Sequence, residues 1–226
     1  MEVYHGSYTK IDKIDLSKAQ FSRDFGQGFY VTKFKKHAEN WAEIIGGKCG
    51  TQGFVTEFTY YDTAFTDRLC KVKKFEKYDE EWLDFIVLNR NPFSPIPAHD
   101  YDIVEGPVAD DKVQFRLTKF LQGKIEKSVF LKELTFHETT HQICFCTMRS
   151  LLCLDHKDKT FALKIADISE AILSMLMNDK KSDEETMSNV FYNSDVFSQL
   201  SDETTELYKK SWQELYGMLT KELENR

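Results

Sequence analysis

Strand-like and helix-like segments are interleaved along this chain up to about residue 157, and beyond that point the strand signal stops. This change of character constrains the fold more than any single motif. It predicts an α+β domain over residues 1–157 and a small all-α domain over residues 158–226. "GFVTEFTYY" alternates and is β-branched and aromatic, so it reads as a strand, and "MEVYHGS", "GFYVT", "LCKVKKF", "YDIVEGP" and "QICFC" read as further short strands. "KFKKHAENWAEIIGG" reads as a helix that stops at Gly46 and Gly47. "YDEEWLDFIVLNRN" is amphipathic, with Trp82, Phe85, Ile86 and Asn89 on related faces. "ADDKVQFRLTKFLQG" and "EKSVFLKEL" are two more predicted helices, the first with Asp110 and Asp111 as N-cap residues. "NPFSPIPAH" holds three of the four prolines and is a loop. Past residue 157, three segments start with Ser or Asp followed by acidic residues, which suits the positive end of a helix.

With 226 residues, 41% of them hydrophobic and 14% aromatic, the chain can bury a real core. A net charge of −7 without a long basic stretch argues against tight non-specific binding to nucleic acid. No apolar run approaches the roughly 18–20 residues of a membrane helix, so no membrane partner is expected. "MEVYHGS" has neither the basic nor the apolar segment of a secretion leader. The five cysteines are odd in number and form no CxxC pair, which points to reduced thiols in the cytoplasm.

"FHETTHQ" contains His137-Glu138-x-x-His141, the spacing that puts two zinc-binding imidazoles on one helix face with a glutamate base. Glu170 stands at a workable distance as a third ligand, so a zinc peptidase has to be weighed. Two threonines sit between the histidines and a β-branched run follows, which is poor helix material. The segment therefore reads as a polar loop entering a strand, and no metal is expected.

A different constellation runs through "YHGS", about 20 residues later "RDFGQGFYVTKFKKHAENWA", and then "WLDFIVLNR", "YDIVEGPVADD" and "HQICFCT". Together, in this order, these resemble a bacterial family of unknown function placed in the ADP-ribosyltransferase superfamily, on the diphtheria-toxin and poly(ADP-ribose) polymerase side. The resemblance covers Tyr4 to about Leu154, two thirds of the chain. It implies a split, mostly antiparallel sheet with helices and a cleft that holds NAD as substrate. By resemblance, His5 would bond the adenosine-ribose hydroxyls, and Gly6, followed by Ser7, would hold the carboxamide. Gly26 and Gly28 would let the backbone approach the dinucleotide, with Arg23 near its pyrophosphate. Tyr30 and Trp41, eleven residues apart, would sandwich the nicotinamide ring.

The polymerase-like members carry a glutamate at the start of a late strand, and this chain has Gln142 there. An amide can still bond a ribose hydroxyl, but it has no charge with which to stabilise an oxocarbenium centre and cannot act as a base. The resemblance thus implies a mono-ADP-ribosyltransferase with His5, Tyr30 and Gln142 as the catalytic set, acting on an unidentified protein, nucleic acid or small-molecule acceptor. An NAD glycohydrolase and an NAD-binding interaction module without turnover are the alternatives. The tail resembles a small bacterial domain found beside or fused to this family, in the manner of a toxin and its regulator. Its aromatic residues Phe191, Tyr192, Phe197, Tyr208, Trp212 and Tyr216 are expected to dock on the first domain and restrain it.

Overall fold

The computed structural model describes residues 1–61, 66, 69–91, 97–109, 111–134, 140–154 and 159–225. The chain divides into two compact units, Met1–Ser150 and Leu151–Arg226. The break expected at residue 157 lies among residues 155–158, outside the described residues, as does Asp110.

The first unit is α+β, built on two small sheets. Strand β1 (Glu2–Ser7) pairs antiparallel with β3 (Phe54–Thr59), Val3 opposite Phe58 and His5 opposite Thr56. Helix α1 (Lys35–Cys49) lies against this pair, burying Ala38, Ala42 and Gly46. The contact is close because glycines face the helix. A Cβ on Gly6 would overlap the Ala38 carbonyl oxygen and lie 3.0 Å from Ala42 N. A Cβ on Gly53 would lie 2.8 Å from Glu43 N. The helix does not stop at Gly46 and Gly47 as the sequence predicts. It runs on to Cys49 and ends at Gly50, whose φ of 70° supplies the left-handed cap. Gly46 serves packing instead, its missing Cβ leaving room for Gly53 N at 2.6 Å.

The second sheet has the order β2-β6-β5-β4, with β2 (Phe29–Val31), β4 (Val72–Lys74), β5 (Ile103–Gly106) and β6 (Gln142–Phe145). β4 and β5 are parallel, and the other pairings are antiparallel. The C-terminal ends of β2, β4 and β5 therefore share one edge with the start of β6. A bridge between Tyr4 and Thr32 ties the end of β2 to the first sheet.

Alternation sorts the side chains of this second sheet. Tyr30, Val104, Gln142 and Cys144 share one face, while Phe29, Ile103, Glu105, Ile143 and Phe145 share the other. Against the first face pack Phe25, helix α2 (Glu80–Arg90), helix α3 (Asp111–Leu121) and helix α4 (Lys127–Leu134), through Trp82, Leu83, Ile86, Val113, Leu117 and Phe130. α2 is well specified: Asp79 caps Trp82 N at 2.9 Å, Glu80 and Glu81 fill the first turn, and Arg90 closes the last. The opposite edge is held by Asp102, which takes Arg149 through both oxygens and also bonds Thr147 and Lys71 N.

The second unit is helical: α5 (Lys159–Lys180), α6 (Glu184–Tyr192), α7 (Asp195–Leu200) and α8 (Trp212–Glu224). Ser211 and Glu214 form a capping box, and Glu222 accepts from the first amides of α7, Asp195 N and Val196 N. Phe191, Tyr192 and Phe197 are buried and form a triad with centroids 4.8–5.3 Å apart. These three rings pack on one another within the unit. Among the described residues no helix is long and apolar enough to cross a membrane, and the five cysteines are free thiols.

Candidate functional site

The candidate residues fall into two groups. The larger gathers around the glycine loop. The Tyr30 hydroxyl donates to Gly26 O at 2.7 Å and accepts from Phe25 N at 3.0 Å. Its phenol is held well above the ordinary range by burial, with Cys144, Cys146 and Asp24 adding to the shift. His99 Nε2 donates to Phe25 O at 3.0 Å, since its Nδ1 accepts from Tyr101 N. Gln27 Nε2 reaches Ala19 O at 3.1 Å. The loop is thus bonded from several sides before any ligand arrives.

Each glycine has a reason within the protein itself. Gly26 needs its φ of 82°, and a Cβ there would lie 2.8 Å from Asn89 Oδ1. Among the described residues, nothing donates to that buried Asn89 oxygen. A Cβ on Gly28 would meet Cys144 Sγ at 2.5 Å and Phe145 O at 2.6 Å, so Gly28 exists to let β2 lie close to β6.

At the centre of this group is Asp24, which is 5% exposed. Its Oδ1 takes both Arg90 Nε at 2.8 Å and Arg90 Nη2, and its Oδ2 takes Ala109 N at 2.8 Å and Gln142 Nε2 at 2.9 Å. One carboxylate therefore binds the glycine loop to α2, to the segment before α3 and to the start of β6. A buried pair of this kind is worth having only when its oxygens are fully used, and removing one partner costs about 3–5 kcal/mol. Asp24 and its neighbour Arg23, which the resemblance places near a pyrophosphate, do not act as one unit. They separate: Arg23 is exposed and bonds Gln20, while Asp24 turns inward. Nothing local announced Arg90, which looked like an ordinary basic residue at a helix end.

Gln142 gives one amide N–H to Asp24, and no described residue donates to its Oε1. The oxygen is left as a hydrogen-bond acceptor, able to receive a hydroxyl.

The smaller group lies on β1. His5 Nδ1 bonds Tyr30 O at 2.6 Å and its ring stacks on Phe29 at 4.4 Å. Because Phe29 and Tyr30 are consecutive in β2, His5 lies on the opposite face from the Tyr30 and Gln142 side chains. Burial lowers the His5 pKa, so the ring is neutral at pH 7, with Nδ1–H donating to Tyr30 O and Nε2 left as an acceptor. Gly6 is absorbed by its contact with α1, and the Ser7 hydroxyl bonds Thr9 O locally. Trp41 is 43% exposed on α1, and among the described residues no ring contact joins it to Tyr30. Tyr30 packs against the core, while Trp41 stands at the surface of α1.

At the shared sheet edge a cavity of about 270 Å³ is lined by Lys33, Phe34, Lys74, Glu105, Thr140 and His141, among others. His141 Nε2 bonds Glu105 Oε1 at 2.8 Å, and this bond holds the Glu105 carboxyl below its usual range. His137 and Glu138 lie outside the described residues. His141 is outside any helix and directly precedes β6, so it cannot present the helical face that the zinc motif requires. No metal-binding cluster occurs among the described residues.

No curated protein and no solved structure matches the chain. A family model described as a protein of unknown function, DUF3990, matches residues 1–156, well over half of the sequence. By that match, the chain belongs to the DUF3990 family.

Proposed function

We propose that residues 1–156 are a mono-ADP-ribosyltransferase of ADP-ribosyltransferase-like fold that uses NAD as donor. The observation that carries the reading is the meeting of two sequence-distant parts of the motif set: Tyr30, clamped to the glycine loop at Gly26, and Gln142, bonded to Asp24 of that loop, share one face of one sheet. Gln142 Oε1, to which no described residue donates, fits a ligand rich in sugar hydroxyls. In the proposed step the bond between nicotinamide nitrogen and ribose C1′ breaks and nicotinamide leaves with the electron pair. The acceptor then bonds C1′ and releases a proton.

The neutrality of Gln142 favours one second reading, an NAD-binding module without turnover. Incubation of the full chain with labelled NAD and cell lysate separates them. Label on a macromolecule supports transfer, free ADP-ribose supports a glycohydrolase, and an NAD-induced thermal shift without either supports the binding module. Absence of any thermal shift at millimolar NAD overturns the reading altogether.

A further inference from the structure

We infer that Asp24 is the positioning residue that sets the Gln142 amide, and that its buried charge is the reason this position holds an amide instead of a carboxylate. Asp24 Oδ2 sits 2.9 Å from Gln142 Nε2. A carboxylate in place of that amide would bring two oxygens to the same separation, and like charges so close cannot both stay ionised. Asp24 cannot turn aside to relieve this. Arg90 holds its Oδ1, Ala109 N holds the same Oδ2 at 2.8 Å, and the group is almost fully enclosed.

The amide solves the problem by donating to Asp24, and its orientation follows. With one N–H toward Asp24, Oε1 and the second N–H are left for a ligand, which fits a group that both donates and accepts, such as a sugar hydroxyl. That consequence rests on the proposed donor site. The positioning of Gln142 by Asp24 does not.

The test uses the full chain and three variants: Gln142→Glu, Asp24→Asn, and the two combined. Among the described residues, the charged and titratable groups around position 142 are Asp24 on the loop, Arg90 on α2, Tyr30 on β2 and Cys144 on β6, with Glu105 and His141 turned to the other face. The carboxyl introduced by Gln142→Glu, next to Asp24, would have its folded pKa raised. Its contribution is therefore fully present below the unfolded pKa and lost as pH rises through the folded pKa. Gln142→Glu should fall behind wild type in melting temperature as pH goes from 5 to 8, by about 3 °C for each pKa unit gained. In the Asp24→Asn background the same substitution should give a flat offset, because the amide introduced at position 24 can donate to the new carboxylate at position 142. Ala109 N then loses its acceptor, so Asp24→Asn alone should cost a constant amount at every pH.

An offset for Gln142→Glu that does not change with pH, or the same pH dependence in both backgrounds, overturns the inference. If Asp24→Asn fails to fold, the pH slope of Gln142→Glu alone decides. NAD is then added to wild type as a separate measurement. The pH-dependent offset without any NAD-induced shift leaves the positioning role standing and removes the donor site. An NAD shift with a flat offset does the reverse.

Discussion

Placing a methyl group on Gly6 separates two reasons for the His-Gly dipeptide, ligand contact and packing. The structure gives the packing side a magnitude. A Cβ on Gly6 would lie 3.0 Å from Ala38 C and Ala42 N, with the Ala38 carbonyl oxygen closer still. All of these are backbone atoms of α1, so no side chain can rotate away. Restoring ordinary contact near 3.4 Å to the nearest atom requires α1 to retreat by about 1 Å. That retreat would also open the contact of Gly53 with Ala42. Overpacking of this kind costs about 1–3 kcal/mol, and rigid backbone neighbours put Gly6→Ala at the upper end, about 3 kcal/mol. For a chain of this length the melting temperature should drop by about 6–12 °C. Gly47→Ala is the internal control. It lies in the same helix with nothing within 4 Å, so added helix propensity should raise stability by about 0.5–1 kcal/mol. Circular dichroism melts of the three proteins read both signs. A Gly6→Ala melt within about 2 °C of wild type, where overpacking should cost several times that, would refute the packing argument.

Further outcomes are expected elsewhere. Tyr30→Phe leaves Phe25 N and Gly26 O without their partner, so it should cost about 1–3 kcal/mol in a chemical-denaturant titration, and equal stability would refute the clamp. His5 and His99 both have pKa values lowered by burial, so the unfolded chain binds more protons near its ordinary 6.5. Stability should therefore fall as pH drops from 7 towards 5, and the double variant His5→Gln, His99→Gln should melt with a shallower slope. Phe191→Ala opens the aromatic triad and should cost about 3–5 kcal/mol, read as loss of helical signal from the second unit. Truncation after residue 157 tests restraint of the first unit: higher NAD turnover by a soluble fragment is the expected result, and unchanged turnover would refute restraint.

The strands and helices were legible because their signals are local. The alternation in "GFVTEFTYY" and the Asp79 cap before "EEWLDFIVLNR" each declare themselves within a dozen residues. The end of α1 was misread because glycine has two uses. Gly46 is present for close packing and Gly50 for a left-handed cap, and a sequence shows only that both lack a side chain. The site was legible in part. Tyr30 and Gln142 were singled out, and they do share a sheet face. The role of Asp24 was invisible because its partners lie 66, 85 and 118 residues away, beyond any periodic pattern. The exposure of Trp41 was also hidden, because the eleven-residue spacing from Tyr30 fixes a distance along the chain and not the side of α1 that faces out.

The reach of Asp24 also bears on the order in which the molecule assembles. Each of its three tethers closes a long loop, and the longest cannot form until β6 has entered the sheet. Nascent chain emerging from a ribosome up to residue 141 carries the whole glycine loop without the strand that holds it. The working shape of the loop is therefore acquired late, after the entropy of the long closures has been overcome. The amide proton of Ala109, bonded to Asp24 Oδ2, is the natural reporter. Its exchange with solvent should be as slow as that of the central strands, and a chain in which it exchanges fast has not yet fastened its glycine loop.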